Sequence, residues 1–165
     1  MLEEFMGIPV HPLLVHVPVV FVPLLAVLAA AYAIVPFVRP HTRWVLALLA
    51  LVTPIAALLA KLSGDAFFDR GLERGDITPG FVPKIEDHQS LGNWTLYSTI
   101  ALAVLTLALV YLVAPRVAAT VASGGANSRV LSLVLGGLTV VAAGVSLYFV
   151  IRTGDSGSKN VWEGR

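Results

Sequence analysis

Four long apolar runs, separated by polar segments, dominate the pattern of hydrophobic and polar positions. They cover about residues 12–38, 43–62, 91–113 and 130–151. At 1.5 Å per residue, a helix of each length can cross a hydrocarbon core of about 30 Å. The short link after the first run requires an antiparallel neighbour. We therefore predict an all-α fold, a four-helix transmembrane bundle that forms one membrane domain over residues 1–165, with both termini on the same side.

Composition supports a membrane protein and excludes several kinds of partner and site. Hydrophobic residues make up 57% of the chain and charged residues only 13%, so lipid is its expected surroundings. A net charge of +1 and the lack of a Lys/Arg run argue against nucleic acid. Because the chain has no cysteine, thiolate metal sites, iron–sulfur clusters and covalently attached haem are excluded.

The polar segments and the prolines predict the rest of the organisation. Residues 63–89 are rich in charge, Gly and Pro and read as one long extramembrane loop, and the tail after residue 151 is short and polar, with Trp162 expected to return to the interface. Pro18 and Pro23 should bend the first helix. Ser132 and Gly136 have the small-xxx-small spacing of helix packing. No internal repeat is visible.

The distribution of charge predicts an orientation. All ten acidic residues fall on the side of the termini and the long loop, together with seven basic residues, whereas the short links carry four arginines and no acid. Short basic links favour the cytoplasm. We therefore predict that the short links are cytoplasmic and that both termini and the long loop lie outside.

Three histidines gather at this extracytoplasmic end: His11, His16 and His88. A neutral imidazole binds metals or haem iron, so this group is the predicted cofactor or metal site. His16 lies inside an apolar run and is expected to face the bundle, because an imidazole facing lipid is costly. The structural alternative, for His11 even more than for His16, is that the imidazole bonds a carbonyl freed by a proline. His41 falls in the opposite link and reads as a surface residue.

Carboxylates and a hydroxyl near these histidines are candidates for orienting the imidazoles from a second shell. The alternative for Asp65 and Asp69 is a solvated helix end, and for Asp87 an N-cap of the third helix. The second-shell candidates are Asp65, Asp69, Asp87, Asp155 and Ser156.

Several of these motifs together resemble a known bacterial family. They are Gly7-x-Pro-x-His-Pro-Leu-Leu-Val-His-x-Pro18, Ser63-Gly-x-x-x-x-Asp69, His88-x-x-Leu-Gly92 and Thr153-Gly-Asp-Ser-Gly-x-x-x-Val-Trp162. The family is the membrane family named domain of unknown function 2231. The resemblance implies a four-helix membrane domain in an electron-transfer setting, since relatives are sometimes joined to Rieske or cytochrome c modules. It emphasises His11 and His88, with His16 optional.

The predicted function is a His-based site that holds a b-type haem or a metal and passes electrons between partners, which would be a redox protein or another membrane subunit. No hydrolase or kinase motif is present, so a redox or accessory subunit is favoured over a stand-alone enzyme. The alternative is a non-enzymatic assembly subunit with Ser132 and Gly136 on a partner-facing surface. A small-solute or proton transporter comes third, because no charged residue lies at mid-membrane.

Overall fold

The first membrane crossing is a helix interrupted near its start. The computed structural model describes residues 4–5, 8–112 and 126–162, with side chains over 10–112 and 130–162. Strands β1 (Glu4–Phe5) and β2 (Ile8–Pro9) form an antiparallel pair, followed by α1 (Val10–Leu14) and α2 (His16–Ile34). The break falls at Val15 because Pro18 has no N–H to donate to the carbonyl four residues earlier. Helix α2 continues through Pro23, and the bend expected at the two prolines stays a prediction.

The second crossing, α3 (Arg39–Glu73), begins directly after a 3-10 turn at Pro36–Val38. Arg39 also closes the end of α2, since its Nε donates to the Tyr32 carbonyl and its Nη2 to the Ala33 carbonyl, both at 2.9 Å. These bonds satisfy carbonyls that have no partner within the helix. The turn between the first two crossings is thereby fixed.

The prediction of one long extramembrane loop over residues 63–89 is mostly wrong. Helix α3 continues to Glu73, and α4 (Val82–Leu112) begins after a 3-10 turn at Pro79–Phe81. Charged residues are good helix formers in water, so the helices extend beyond their apolar segments. The chain leaves the helix only at Gly75, whose φ of 71° is left-handed, and before Pro79.

The polar tail is likewise part of a helix. Helix α5 extends over Ala126–Trp162 as one element, so the expectation that the tail turns back toward the interface is wrong. The connection from α4 to α5 lies outside the described residues. The extension of α5 places Ser156 and Gly157 on a rigid element at the end of the bundle.

The crossings form a ring in which α2 packs on α3, α3 on α4, α4 on α5 and α5 on α2. The interior is filled by residues such as Tyr32, Leu25 and Leu102, whereas Val27 and Leu48 are 60% and 62% exposed. Apolar side chains on the outside suit lipid surroundings, and four helices are long and apolar enough to span a membrane. The prediction of an all-α four-helix bundle is confirmed.

The buried positions of the two hairpins repeat. Each buried residue of α2 has a buried counterpart 77 positions later in α4, and those of α3 have inward-facing counterparts 93 positions later in α5. The pairs are Pro18 and Thr95, Val22 and Thr99, Leu25 and Leu102, Ala26 and Ala103, Ala29 and Thr106, Tyr32 and Leu109, then Leu46 and Thr139, Ala50 and Ala143, Thr53 and Ser146, Ala57 and Val150, Ala60 and Thr153, Ser63 and Ser156.

The same 77-residue shift carries His11 onto His88. Because both hairpins begin at the same end of the bundle, the repeat relates them by a pseudo-two-fold axis along the bundle, with α2 opposite α4 and α3 opposite α5. The absence of a visible repeat in the sequence therefore did not mean the absence of one in the fold. We call the end where α1 and α4 begin and α3 and α5 finish the His end.

Candidate functional site

His11 is bound to the last turns of the α3 transmembrane segment. Its Nδ1 lies 3.0 Å from the Ala60 carbonyl oxygen and 3.1 Å from Ser63 Oγ. Ser63 is itself buried and donates its hydroxyl hydrogen to the same Ala60 carbonyl at 2.8 Å. The ring also stacks on Phe67, one turn further along α3, at 6.4 Å between centroids. Helix α3 thus holds this imidazole on both its edge and its face.

His88 makes the corresponding contacts with α5. Its Nδ1 lies 2.7 Å from Ser156 Oγ, and Ser156 donates to the Thr153 carbonyl at 3.0 Å. In both halves, therefore, a histidine from one helix bonds a serine hydroxyl of the next helix, and that serine donates to the carbonyl three residues before it.

A glycine follows the serine in each half and makes the close approach possible. A Cβ atom on Gly64 would lie 2.9 Å from His11 Cε1, and one on Gly157 would lie 2.9 Å from His88 Cε1. Any larger residue would displace the ring, so the glycine is required for contact rather than for backbone freedom. The Ser-Gly pair is the receptor for the imidazole in both hairpins.

The hydrogen bonds assign the tautomer of His11. The Ala60 carbonyl oxygen only accepts, so His11 Nδ1 must carry the proton. His88 has the same tautomer when Ser156 donates its hydrogen to the Thr153 carbonyl. In the neutral ring Nε2 then presents its lone pair. Within the part of the chain that the structure describes, neither Nε2 has a protein hydrogen-bond partner. Both imidazoles are oriented electron-pair donors.

The two halves meet through Asp65. This carboxylate, on α3, pairs with Lys61 one turn earlier and accepts a hydrogen bond from Gln89 Nε2 of α4 at 3.3 Å. Asp65 therefore does not accept a bond from an imidazole, but it ties the helices that carry the two half-sites.

The remaining predicted residues lie away from the imidazole pair. His16 is exposed on α2, so the expectation that it faces the bundle interior is wrong: it lies two residues before the buried Pro18, about 200° away around a helix of 3.6 residues per turn. Asp69 and Asp87 are exposed as well. Asp155 forms an ion pair with Lys159 at 2.9 Å on the outside of α5. His41 is exposed beside Phe37 at the opposite end.

Ser132 and Gly136 had been expected on a partner-facing surface in the assembly-subunit reading. A Cβ on Gly136 would lie 3.8 Å from the Ala33 Cβ of α2, so Gly136 packs inside the bundle and that expectation is wrong for it. The small side chain serves the contact between α5 and α2. The interpretation of the last helix as a packing helix agrees with this contact.

Sequence reasoning missed Ser63, Gly64 and Gly157 as site residues. The signal was present, because the dipeptide Ser-Gly occurs at 63–64 and again at 156–157, each time after a long apolar run. Each histidine is also followed three residues later by a leucine, Leu14 and Leu91. What was missing was the pairing of each histidine with a particular Ser-Gly, which depends on the antiparallel packing.

Chemically, the arrangement offers two nitrogen donors and few other ligands. Over the described residues, no group of three or more His, Asp or Glu side chains is placed to hold a metal ion. A site completed by protein side chains alone is therefore not formed in that part of the chain. A cofactor that brings its own equatorial ligands needs only the two imidazoles, and the donor set fits that case.

Comparison with known proteins gives one match. Residues 7–165 match the family described as "Predicted membrane protein (DUF2231)". No curated protein and no solved structure matches the chain significantly. The matched range includes both histidines and both Ser-Gly pairs.

Proposed function

The chain belongs to the DUF2231 family of predicted membrane proteins, and on that premise we propose that the protein binds a b-type haem, which His11 and His88 would hold at the His end of the bundle. The observation that supports this most is the repeated anchoring of Nδ1, which leaves two oriented Nε2 donors on facing hairpins. Metal-binding histidines characteristically donate their other N–H to a carbonyl or hydroxyl in this way.

Haem is favoured over a bare metal ion by the ligand count. A porphyrin supplies four equatorial nitrogens, so two imidazoles complete the coordination of its iron. Zinc would require one or two further side chains, and no such cluster exists among residues 10–112 and 130–162. The lack of cysteine requires non-covalent attachment.

When bound, the haem would supply one-electron redox chemistry. The protein residues hold and orient the imidazoles: Ser63 and Ser156 bond their Nδ1 atoms, and Gly64 and Gly157 allow the rings to lie close to the receiving helix. The apolar bundle below the site keeps bulk water from one side of it. The partner would be a redox protein or another membrane subunit that exchanges electrons at the His end.

We also propose that the His end is extracytoplasmic in a bacterial inner membrane. The short link at the opposite end carries Arg39 and Arg43 and no acid, as cytoplasmic links do. A cysteine introduced at Asp76, in the exposed turn between α3 and α4, should react with a membrane-impermeant thiol reagent added outside intact cells, and one introduced at Thr42 should not. The reverse labelling pattern would put the site on the cytoplasmic side.

The haem proposal is tested by optical spectra of the detergent-purified protein from haem-supplied cells. The wild type should show a reduced b-type absorption band at about one haem per chain. His11→Ala and His88→Ala should each abolish the band, because low-spin binding needs both ligands, and added imidazole should restore part of it. The matched controls His16→Ala and His41→Ala should leave it unchanged.

Unchanged helicity and monodispersity of the variants would show that the band is lost through ligation and not through unfolding. A wild-type protein that purifies without haem absorption would contradict the proposal. So would a band that survives in both His11→Ala and His88→Ala.

A further inference from the structure

Three hydroxyl groups lie buried at one level in the middle of the bundle. Thr53 on α3, Thr99 on α4 and Ser146 on α5 are each fully buried. Thr53 and Ser146 stand ten residues before Ser63 and Ser156, and Thr99 stands eleven after His88. At 1.5 Å per residue, all three are therefore about 15 Å below the imidazole layer. Three neighbouring helices of the ring thus contribute a hydroxyl to the same depth.

None of these three hydroxyls has a hydrogen-bond partner among the described protein atoms. Serine and threonine in helices usually bond the carbonyl of the preceding turn, and Thr139 and Thr153 do so at 2.7 and 2.8 Å. The three hydroxyls of the layer do not take this option. Leaving a buried hydroxyl unbonded costs free energy, and three such hydroxyls at one level point to a shared partner. The Thr106 hydroxyl is also buried and unbonded but lies about 10 Å deeper and outside this layer.

The surroundings suit a small polar ligand. Thr53 and Ser146 are related by the 93-residue shift, so they approach the pseudo-two-fold axis from opposite helices. Several of the buried residues one turn away from Thr53 and Ser146 are small, namely Ala50, Ala57 and Ala143, whereas Val150 is larger. A buried water needs two to four polar partners and a space about its own size. The three hydroxyls supply enough polar partners for a water, and the small alanine side chains beside them favour a space of its size.

The layer is polar toward the His end and closed on the other side. Above it, Thr95 and Thr153 are joined by a hydrogen bond of 2.8 Å. Below it, at about 20 Å by the same rise per residue, lie the buried apolar residues Leu25 and Leu102 together with Ala50 and Ala143. A polar ligand would therefore reach the layer from the His end.

We propose that Thr53, Thr99 and Ser146 bind ordered water at the centre of the bundle, as a polar site separate from the imidazole pair. The site does not depend on haem. Its ligand is a small neutral molecule that both donates and accepts, since hydroxyls can do both and no charged side chain faces this level among the buried residues.

The test is thermal unfolding of the full-length protein in mild detergent, with near-isosteric replacements that remove only the hydroxyl. If the hydroxyls bond water, Thr53→Val, Thr99→Val and Ser146→Ala should each lower Tm by several degrees. The triple variant should fall by less than the sum, because the water leaves with the first partners. The control is Thr139→Val, whose hydroxyl already bonds its own helix and whose Tm should change little.

Water-edited solid-state NMR in bilayers gives a second measurement. Magnetisation transfer from water to the Thr99 side chain is expected in the wild type and should vanish in the double variant Thr53→Val/Ser146→Ala, which keeps Thr99. A higher Tm for the replacements, or no transfer to Thr99 in the wild type, would overturn the proposal. A wild-type Tm that rises with Na⁺ but not with choline at equal ionic strength would also overturn it, in favour of a cation.

Discussion

His11 lies in a five-residue helix that is set off from the rest of its crossing at Val15, whereas His88 lies near the start of a 31-residue helix without interruption. Despite this difference, both imidazoles bond a serine hydroxyl at Nδ1 and touch a glycine at Cε1. The two halves therefore share the contact between the histidine and the receiving helix, whereas the helices that carry the histidines differ in length. The receiving Ser-Gly pair is the part of the site that the fold preserves.

The halves differ at the residues just beyond the shared contact. In the first half, Phe67 stacks on the imidazole and Asp65 links α3 to α4. At the positions 93 residues later, the second half has Asn160, which bonds the Lys84 carbonyl at 3.3 Å, and Ser158, which bonds only within its own helix. The first half is thus tied more closely to its neighbours. This asymmetry gives the two imidazoles different surroundings.

Replacing the two glycines should break both halves and produce the largest effect. In Gly64→Ala or Gly157→Ala the new methyl group meets an imidazole at 2.9 Å, and the ring can retreat only by giving up its Nδ1 bond. We expect each variant to lose about 1–3 kcal/mol of unfolding free energy, the usual cost of overpacking. Chemical denaturation in mild detergent measures it.

The matched control is Gly92→Ala, at a glycine of α4 where an added Cβ meets nothing within 4 Å. This change should stabilise the protein by about 0.5–1 kcal/mol, because alanine favours a helix over glycine. If Gly64→Ala and Gly157→Ala also stabilised the protein, the close contact between glycine and imidazole would be refuted.

The fold was accessible from the sequence because each apolar run is longer than a membrane is thick. The ends of the helices could not be predicted from the sequence, because no apolar periodicity marks the point at which a helix leaves lipid and continues in water. Residues 63–73 and 82–89, for example, are helical, although their charged composition resembles that of a loop. The position at which such a helix ends depends on single residues such as Gly75.

The site was accessible only in part. His11 and His88 stand out in the sequence, but their partners are a carbonyl, a hydroxyl and a glycine, none of which is chemically conspicuous. The repeat was hidden because few paired positions keep their residue: Leu25 and Leu102 do, whereas Tyr32 and Leu109 do not. Burial repeats where identity does not, since packing requires apolar or small side chains and not particular ones.

Removing the serine hydroxyls should cost less unfolding free energy than replacing the glycines, and the cost should differ between the two halves. In Ser63→Ala, His11 keeps the Ala60 carbonyl at 3.0 Å, so we expect a loss below about 1 kcal/mol. In Ser156→Ala, His88 loses its shorter bond of 2.7 Å, and we expect about 1–2 kcal/mol. Denaturation of both single variants and the double variant measures the costs and their additivity. A larger cost at Ser63 would reverse this order.

The smallest effect should come from the contact that only one half possesses. Asp65→Asn removes the charge that pairs with Lys61 while keeping a group that can face Gln89. The pair is partly exposed, with side-chain exposures of 28% and 35%, so we expect a loss of roughly 0.2–1 kcal/mol that shrinks at high salt.

Asp155→Asn is the matched control for this change, since Asp155 forms the same i,i+4 ion pair with Lys159 on the second half. That pair is more exposed, at 55% and 43%, and makes no described contact with another helix. Its loss should therefore fall at the low end of the same range. The difference between the two variants isolates the link between α3 and α4. If Asp65→Asn cost no more than Asp155→Asn at low salt, Asp65 would not join the two halves, and the serine and glycine contacts would hold the imidazole pair without it.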